Sequence, residues 1–153
     1  MSRSLKQSFA SGVEALVAKR TYLDSGVLIA AITRNDDVGI RAMEVLDDPN
    51  RQLLVSDAVM LEVMPNAIYN KAHGEIEFYE AVFEKAEKLP WNILLLYGAA
   101  DIAKQYGIGA MDAIHVAYAL NLNADELVTT EKSTKPMFRV SEITMVSIHL
   151  NTA

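Results

Sequence analysis

Residues 109–130, GAMDAIHVAYALNLNADELVTT, decide the fold class, because a helical segment leads here into a short apolar strand. Residues 110–120 have the periodicity of a helix, and residues 127–129 have the apolar character of a strand that is covered on both faces. A helix that connects to a buried strand is typical of parallel α/β units. The stretch therefore predicts an α/β protein.

Strands and helices alternate along the rest of the chain, as crossover connections between parallel strands require. The other strands are predicted at residues 21–23, 53–55, 91–95 and 145–148. The other helices are predicted at residues 40–46, 57–71, 75–88 and 99–105. We expect a three-layer α/β/α fold with a central, mostly parallel five-stranded sheet, formed by residues 21–153. Residues 1–20 are expected to form a helical N-terminal extension.

Composition sets limits on the class of protein. The chain has 153 residues and is 51% hydrophobic, which suits one folded domain. It contains no cysteine, so disulfides, thiolate nucleophiles and zinc–thiolate sites are excluded, and the cytoplasm is the expected compartment. No apolar run approaches the roughly 20 residues that cross a bilayer, so no membrane partner is expected.

The net charge of −6 argues against a general nucleic-acid binder, since phosphate contacts need Lys and Arg. The acidic residues are unevenly spread, however: residues 75–88 contain five Glu and two Lys. We expect this excess to lie on one helix, away from a working surface.

Four carboxylates come from distant parts of the chain. Asp24 and Glu131 follow predicted strands, Glu62 lies about two turns into the helix after the second strand, and Asp112 lies in the first turn of the helix that starts after Gly109. Ligand sites of parallel α/β sheets form at the carboxyl ends of the strands, so these side chains are expected to converge. Each pair of like charges costs about 4 kcal/mol at 4 Å and an effective dielectric near 20, so such a cluster calls for a cation or for protonated members. Oxygen ligands favour Mg²⁺ or Mn²⁺, which would neutralise charge on a phosphodiester.

Polar residues beside these carboxylates are candidates for binding substrate. The hydroxyls of Ser25, Thr129 and Thr130 are expected to hold a carboxylate or a phosphate. Lys132 opens a small basic stretch that would steer RNA phosphates, or would simply be a solvated loop. His115, one turn beyond Asp112, is interpreted as a hydrogen-bonded, half-buried side chain rather than a general base.

The segments around the four carboxylates resemble the four acidic motifs of PIN domains. These segments are YLDSGVLIAAI (22–32), VSDAVMLEVMP (55–65), GAMDAIHVAYAL (109–120) and ADELVTTEKS (124–133). The resemblance extends from about residue 21 to residue 148. Its most specific parts are DAIHVAYAL and ADELVTT.

The resemblance implies a metal-dependent ribonuclease site. Carried over to this sequence, Asp24, Glu62 and Asp112 bind Mg²⁺ or Mn²⁺, and Glu131 is the fourth catalytic acidic residue, acting through water. The family usually has Asp in place of Glu131 and often has Thr-Asn after the first Asp, where this chain has Ser25 and Gly26. These departures leave open whether one or two metal ions are used.

Many bacterial PIN domains are VapC-type toxins, which are held inactive by a cognate antitoxin and are often dimeric. The resemblance thus implies an endoribonuclease toxin with RNA as substrate and with an antitoxin protein and a second copy as partners. Glu131 and the acidic balance leave an alternative, a catalytically degenerate PIN-like protein- or RNA-binding module. A phosphatase of the haloacid-dehalogenase type is disfavoured, because no second Asp lies two residues after Asp24.

Overall fold

A parallel sheet of five strands forms the centre of the computed structural model, which describes residues 18–149. The strands are β1 Lys19–Leu23, β2 Arg51–Ser56, β3 Glu87–Leu89, β4 Glu126–Thr129 and β5 Thr144–Ser147. Their order in the sheet is β3-β2-β1-β4-β5, and every neighbouring pair is parallel. The predicted α/β class is thereby confirmed.

Helices cover both sides of this sheet. They are α1 Ser25–Thr33, α2 Asp37–Asp47, α3 Asp57–Tyr69, α4 His73–Lys85, α5 Ile93–Tyr106 and α6 Ala110–Asn121, with a 3₁₀ turn at Pro136–Arg139. Within residues 18–149, none of these helices has the length and hydropathy needed to cross a membrane.

The core lies along the three central strands. Consecutive residues of β1, β2 and β4 are fully buried, because helices cover both faces of the sheet. In register across these strands, Tyr22 lies between Leu54 and Leu127, and all three side chains have no exposed area. Each buried Leu contributes about 1.5–3 kcal/mol relative to an exposed one, so this row anchors the strand ends that form the site.

Side-chain caps fix where two helices begin. The carboxylate of Asp36 accepts a hydrogen bond from the Gly39 amide (3.1 Å) at the start of α2, and the Ser56 hydroxyl accepts one from the Val59 amide (3.3 Å) at the start of α3. Such caps satisfy amides that have no partner inside the helix. Asp and Ser are among the residues that most favour this position at the start of a helix.

The third predicted strand, residues 91–95, is wrong. The third strand is β3, Glu87–Leu89, and the apolar run that follows it opens helix α5, whose first turn is capped by Asn92. Ile93 and Leu94 are 63% and 76% exposed, so their apolar character does not reflect burial in a sheet. Short apolar runs fit a strand or a helix equally well, and here the Asn cap decides.

Other boundaries also differ from the sequence predictions. The helix expected at residues 75–88 is α4, which ends at Lys85, and the one expected at residues 99–105 is the second half of α5. Helix α1 was not anticipated. The predicted N-terminal extension, residues 1–20, lies outside the described residues except for its last three, of which Lys19 and Arg20 begin β1.

Candidate active site

Asp24 lies at the carboxyl end of β1, where the chain turns into α1. Its Oδ1 accepts a hydrogen bond from the Ser25 amide (2.9 Å), so the carboxylate caps α1, and its Oδ2 accepts one from the hydroxyl of Thr129 (2.9 Å). Thr129 ends β4, the neighbouring strand. Two adjacent strand ends thus orient one carboxylate, and the expectation that a nearby threonine hydroxyl holds a carboxylate is met by Thr129.

Glu62 reaches the same place from helix α3. Its Oε1 is hydrogen-bonded to Nε2 of His115 in α6, and this Nε2 lies 3.7 Å from Oδ1 of Asp24. The three side chains differ in accessibility: His115 is 2% exposed, Asp24 14% and Glu62 33%. His115 is therefore hydrogen-bonded, as expected, but it is more deeply buried than the sequence suggested.

A chain of buried hydroxyls lies behind His115. Its Nδ1 is 2.8 Å from the Tyr22 hydroxyl, which is 2.7 Å from the hydroxyl of Ser56. Tyr22 and Ser56 have no exposed area. The polar end of Tyr22 thus has two partners inside an otherwise apolar core, as a buried phenol requires.

Asp112 lies in the first turn of α6, and Glu131 is two residues past the end of β4. Burial raises the pKa of Asp112 above its ordinary value, and the negative charge of Asp24 raises it further, followed by those of Glu131 and Glu62; His115 opposes these effects. The four predicted carboxylates therefore lie close enough for their charges to interact. The amide of Glu131 donates to the hydroxyl of Thr129 (3.1 Å), while its own side chain is exposed.

The imidazole partly balances these charges. The hydrogen bond from His115 holds the pKa of Glu62 below its ordinary value, although partial burial opposes this shift. Burial disfavours the charged imidazole, but the hydrogen bond to Glu62 and the charges of Asp24, Glu62 and Asp112 outweigh burial and raise the pKa of His115.

The opposite end of the sheet shows what a fully paired buried carboxylate looks like in this protein. Glu126, at the start of β4, has a side chain that is only 5% exposed, and it accepts hydrogen bonds from Arg51 (2.9 Å) and Thr21 (2.8 Å). By contrast, in the part of the chain that the structure describes, no Lys or Arg forms an ion pair with the four carboxylates at the carboxyl ends. That end of the sheet carries an excess of negative charge.

Asp24, Glu62 and His115 each offer a ligand atom within 4.8 Å of the others, a spacing at which side chains can share a metal ion. Asp112 is outside this group of three, although its charge interacts with it. The donors and the uncompensated negative charge fit a hard divalent cation. The cluster could therefore hold such an ion.

The predicted substrate-binding residues differ in how near they lie to Asp24. Ser25 follows Asp24 directly, and its hydroxyl lies 3.5 Å from Oδ1 of that carboxylate. Thr130 lies against the first turn of α1, where its hydroxyl occupies the space that a Cβ on Gly26 would need. Lys132 is exposed in the turn after β4 and has no ion-pair partner within residues 18–149.

Sequence reasoning missed Tyr22 as a member of the site. The available signal is a tyrosine in the middle of an apolar strand, whose hydroxyl must find a buried partner. That partner is His115, which the sequence could not connect with Tyr22, since the two lie 93 residues apart.

The family model described as PIN domain matches residues 21–135. No curated protein matches the sequence significantly.

Several solved structures share the fold. A chain of the DNA-bound VapBC structure from Salmonella typhimurium is 17% identical, with 85% of this chain and 98% of that chain covered and a TM-score of 0.65. A chain of a toxin–antitoxin complex from Klebsiella pneumoniae is 18% identical, with coverage of 84% and 98% and a TM-score of 0.64. A chain of VapBC-1 from nontypeable Haemophilus influenzae is 24% identical, with the same coverage and a TM-score of 0.60. At these identities the likeness concerns the fold.

Because the family model covers well over half of the 153 residues, this chain belongs to the PIN domain family.

Proposed function

We propose that this protein is a metal-dependent endoribonuclease that hydrolyses phosphodiester bonds of RNA. The observation that carries the proposal is the meeting of Asp24 and Glu62 around His115, with Asp112 near enough for its charge to interact with theirs and with no Lys or Arg partner among the described residues. The negative charge that this arrangement leaves uncompensated is what a divalent cation would neutralise. Membership in the PIN family agrees with a nuclease site at this place.

In this proposal Asp24, Glu62 and Asp112 hold Mg²⁺ or Mn²⁺, which would neutralise charge on the scissile phosphate. Thr129 and the Ser25 amide keep the Asp24 carboxylate in place. The exposed Glu131 is free to accept a proton through a water molecule. The hydroxyls of Ser25 and Thr130 and the ammonium group of Lys132 are proposed to bind RNA phosphates.

Cleavage of RNA, measured with and without EDTA, tests the proposed activity. We expect Mn²⁺-dependent cleavage that Asp24→Asn and Asp112→Asn each reduce by at least about 100-fold, because removal of a metal ligand or of its support costs 10–100-fold or more. Asp47→Asn, an exposed change of the same chemistry at the end of α2, is the matched control and should leave the rate unchanged. Cleavage that persists in both site variants would show that these carboxylates do not perform the reaction.

We further propose that the protein is the toxin of a toxin–antitoxin pair and acts in the cytoplasm, where RNA is accessible. The fold shared with a chain of the Klebsiella pneumoniae toxin–antitoxin complex supports this role. Expression of the wild type should arrest growth of the host, and Asp112→Asn should relieve the arrest. Co-expression with the cognate partner should also relieve it and give a stable complex. Equal growth arrest by the wild type and by Asp112→Asn would contradict the proposal.

A homodimer is proposed on the basis of an exposed apolar face. Leu61 and Met111 are 69% and 40% exposed, and with Trp91 they line a groove of about 340 Å³ between α3 and α6. On the adjoining helix α5, Leu94 and Tyr97 are 76% and 62% exposed. Contiguous apolar surface of this kind marks association sites.

A catalytically degenerate binding module is the competing interpretation, since Glu131 stands where the family usually has Asp. Calorimetric titration with Mn²⁺ separates the two. A nuclease site should give saturable heat that Asp112→Asn removes, whereas a degenerate module should give no saturable heat.

A further inference from the structure

We propose that His115 is a positioning residue that holds Glu62 for the cation, and that Tyr22 and Ser56 fix the ring so that Nε2 always presents a hydrogen to Glu62. This inference rests on the proposed metal site. It assigns a task to the buried hydrogen-bond chain that the acidic motifs leave unexplained.

The direction of each hydrogen bond follows from the groups at the two ends. The Glu62 carboxylate only accepts hydrogen bonds, so Nε2 of His115 carries the hydrogen. In the neutral ring Nδ1 then accepts from the Tyr22 hydroxyl, which accepts from Ser56. The Ser56 oxygen accepts from the amide of Val59, so every donor in the chain is used.

Protonation of the His115 ring leaves its hydrogen bond to Glu62 unchanged. The imidazolium carries hydrogens on both nitrogens, so Nε2 still donates to Glu62 and only the bonds to Tyr22 and Ser56 reverse. The positioning therefore does not depend on the protonation state of His115.

The hydrogen-bond chain begins at the N-cap of α3 and ends inside the same helix. Ser56 caps α3 and Glu62 lies six residues further along it, while Tyr22 belongs to β1 and His115 to α6. Three elements are thereby tied together around the carboxylate. Glu62 is the most exposed of the three clustered side chains and has several rotatable bonds, so a fixed donor removes conformations that would otherwise oppose metal binding.

This arrangement also distinguishes His115 from a metal ligand. Both ring nitrogens are engaged, Nδ1 with Tyr22 and Nε2 with Glu62, and a nitrogen that carries a hydrogen has no lone pair for an ion. His115 is thus expected to act on the ion only through Glu62.

Four variants test this inference through Mn²⁺ affinity, measured by calorimetry on the RNA-free protein. His115→Leu removes the donor, and we expect an affinity loss of about 10–100-fold, as for other groups that support metal-binding carboxylates. His115→Gln retains an N–H at a similar reach and should restore the affinity to within about threefold of wild type. Tyr22→Phe should cost about 10-fold, because the ring loses its fixed orientation.

Tyr118→Phe is the matched control. It removes the same atom from another fully buried tyrosine, whose hydroxyl has no hydrogen-bond partner within residues 18–149. Its Mn²⁺ affinity should equal that of the wild type. Should His115→Leu fail to fold, the Tyr22→Phe and Tyr118→Phe pair still decides the question.

Two measurements on the wild type complete the test. In metal-free protein labelled with ¹⁵N-histidine, NMR should find the hydrogen on Nε2 of His115. In the Mn²⁺ complex, electron spin-echo spectra should show no directly coordinated ring nitrogen. A bare Nε2, a coordinated nitrogen, His115→Gln as weak as His115→Leu, or no Mn²⁺ binding by the wild type would each overturn the proposal. The expected order of affinities without RNA cleavage would support the positioning role and refute the nuclease function.

Discussion

Single residues at the site serve the fold and the proposed chemistry together. The Asp24 amide donates to the Val128 carbonyl (3.0 Å), while its carboxylate caps α1 and accepts from Thr129. Asn is as good an N-cap as Asp, whereas Ala costs about 1 kcal/mol. Asp24→Asn therefore separates loss of charge from loss of the cap, and this is why it is the preferred site variant.

The first prediction concerns the stability cost of Asp112. Its raised pKa means that the charged form is disfavoured in the folded state. Asp112→Asn should raise Tm by about 2–4 °C at pH 7.5 without metal, since partly exposed charges interact by at most about 1 kcal/mol. Differential scanning calorimetry with EDTA checks this.

The pH dependence of this effect has a defined sign. As pH rises, the unfolded chain loses the Asp112 proton first, so the wild type loses stability between the ordinary pKa and the raised one, and the loss persists at higher pH. The gain from Asp112→Asn should therefore vanish well below pH 4, and saturating Mn²⁺ should stabilise only the wild type. A variant less stable than the wild type at pH 7.5 would contradict this account.

A second prediction concerns the close approach of Gly39 to the preceding loop. A Cβ there would overlap the carbonyl oxygen of Arg34, which belongs to the backbone and cannot turn aside. Gly39→Ala should lower the free energy of unfolding by about 1–3 kcal/mol, as overpacking does. Gly98→Ala, in the interior of α5 with no atom near the added methyl group, should raise it by about 0.5–1 kcal/mol. Urea unfolding of the two variants should thus give shifts of opposite sign.

Among the elements, the start of α5 depends on one side chain. The Asn92 side chain accepts a hydrogen bond from the Leu95 amide (2.9 Å), which commits the apolar run after it to a helix. Asn92→Ala should lower the free energy of unfolding by about 1 kcal/mol, and Asn92→Asp should retain the stability. Equal urea midpoints for Asn92→Ala and the wild type would show that packing alone places this helix.

The same element shows what a sequence reveals of a fold. Strands β1, β2 and β4 could be predicted because covering both faces of a sheet demands continuous apolar runs, and these runs are found at the predicted positions. Strand β3, an edge strand with the sequence EKL, carries no such signal. The apolar run beside it was therefore mistaken for the strand.

The candidate site likewise contains residues that the sequence predicts and residues that it does not. Asp24 and Glu131 lie within two residues of strand ends, so knowing the strands places them at one end of the sheet. The contact between Tyr22 and His115 depends instead on the rotation of α6 against β1 and on side-chain rotamers, which no local pattern encodes. The acidic members could thus be anticipated, whereas the residues that hold them could not.

At the scale of the whole molecule, charge is arranged unequally along the strands. The amino ends bury Glu126 with Arg51 and Lys19 as partners, while the carboxyl ends gather acidic groups around the imidazole of His115. Removing the partner of a buried carboxylate such as Glu126 typically costs about 3–5 kcal/mol, because an unpaired charge is left in the interior. The uncompensated negative charge lies at the end where the reaction is proposed. Substitutions that remove a carboxylate there should therefore raise stability and reduce activity.

The last prediction concerns association through the apolar face. A stable interface buries about 800 Å² per partner, and we propose that the exposed apolar side chains of α3, α5 and α6 contribute to it. Light scattering should therefore give twice the chain mass of 16.9 kDa for the wild type. The double variant Leu94→Glu, Tyr97→Glu should give a folded monomer, because it would bring four like charges into the interface. Ile40→Glu, on α2 and 55% exposed, is the matched control and should remain dimeric. A monomeric wild type at about 100 μM, well above the concentration at which an interface of this size dissociates, would refute the proposed homodimer.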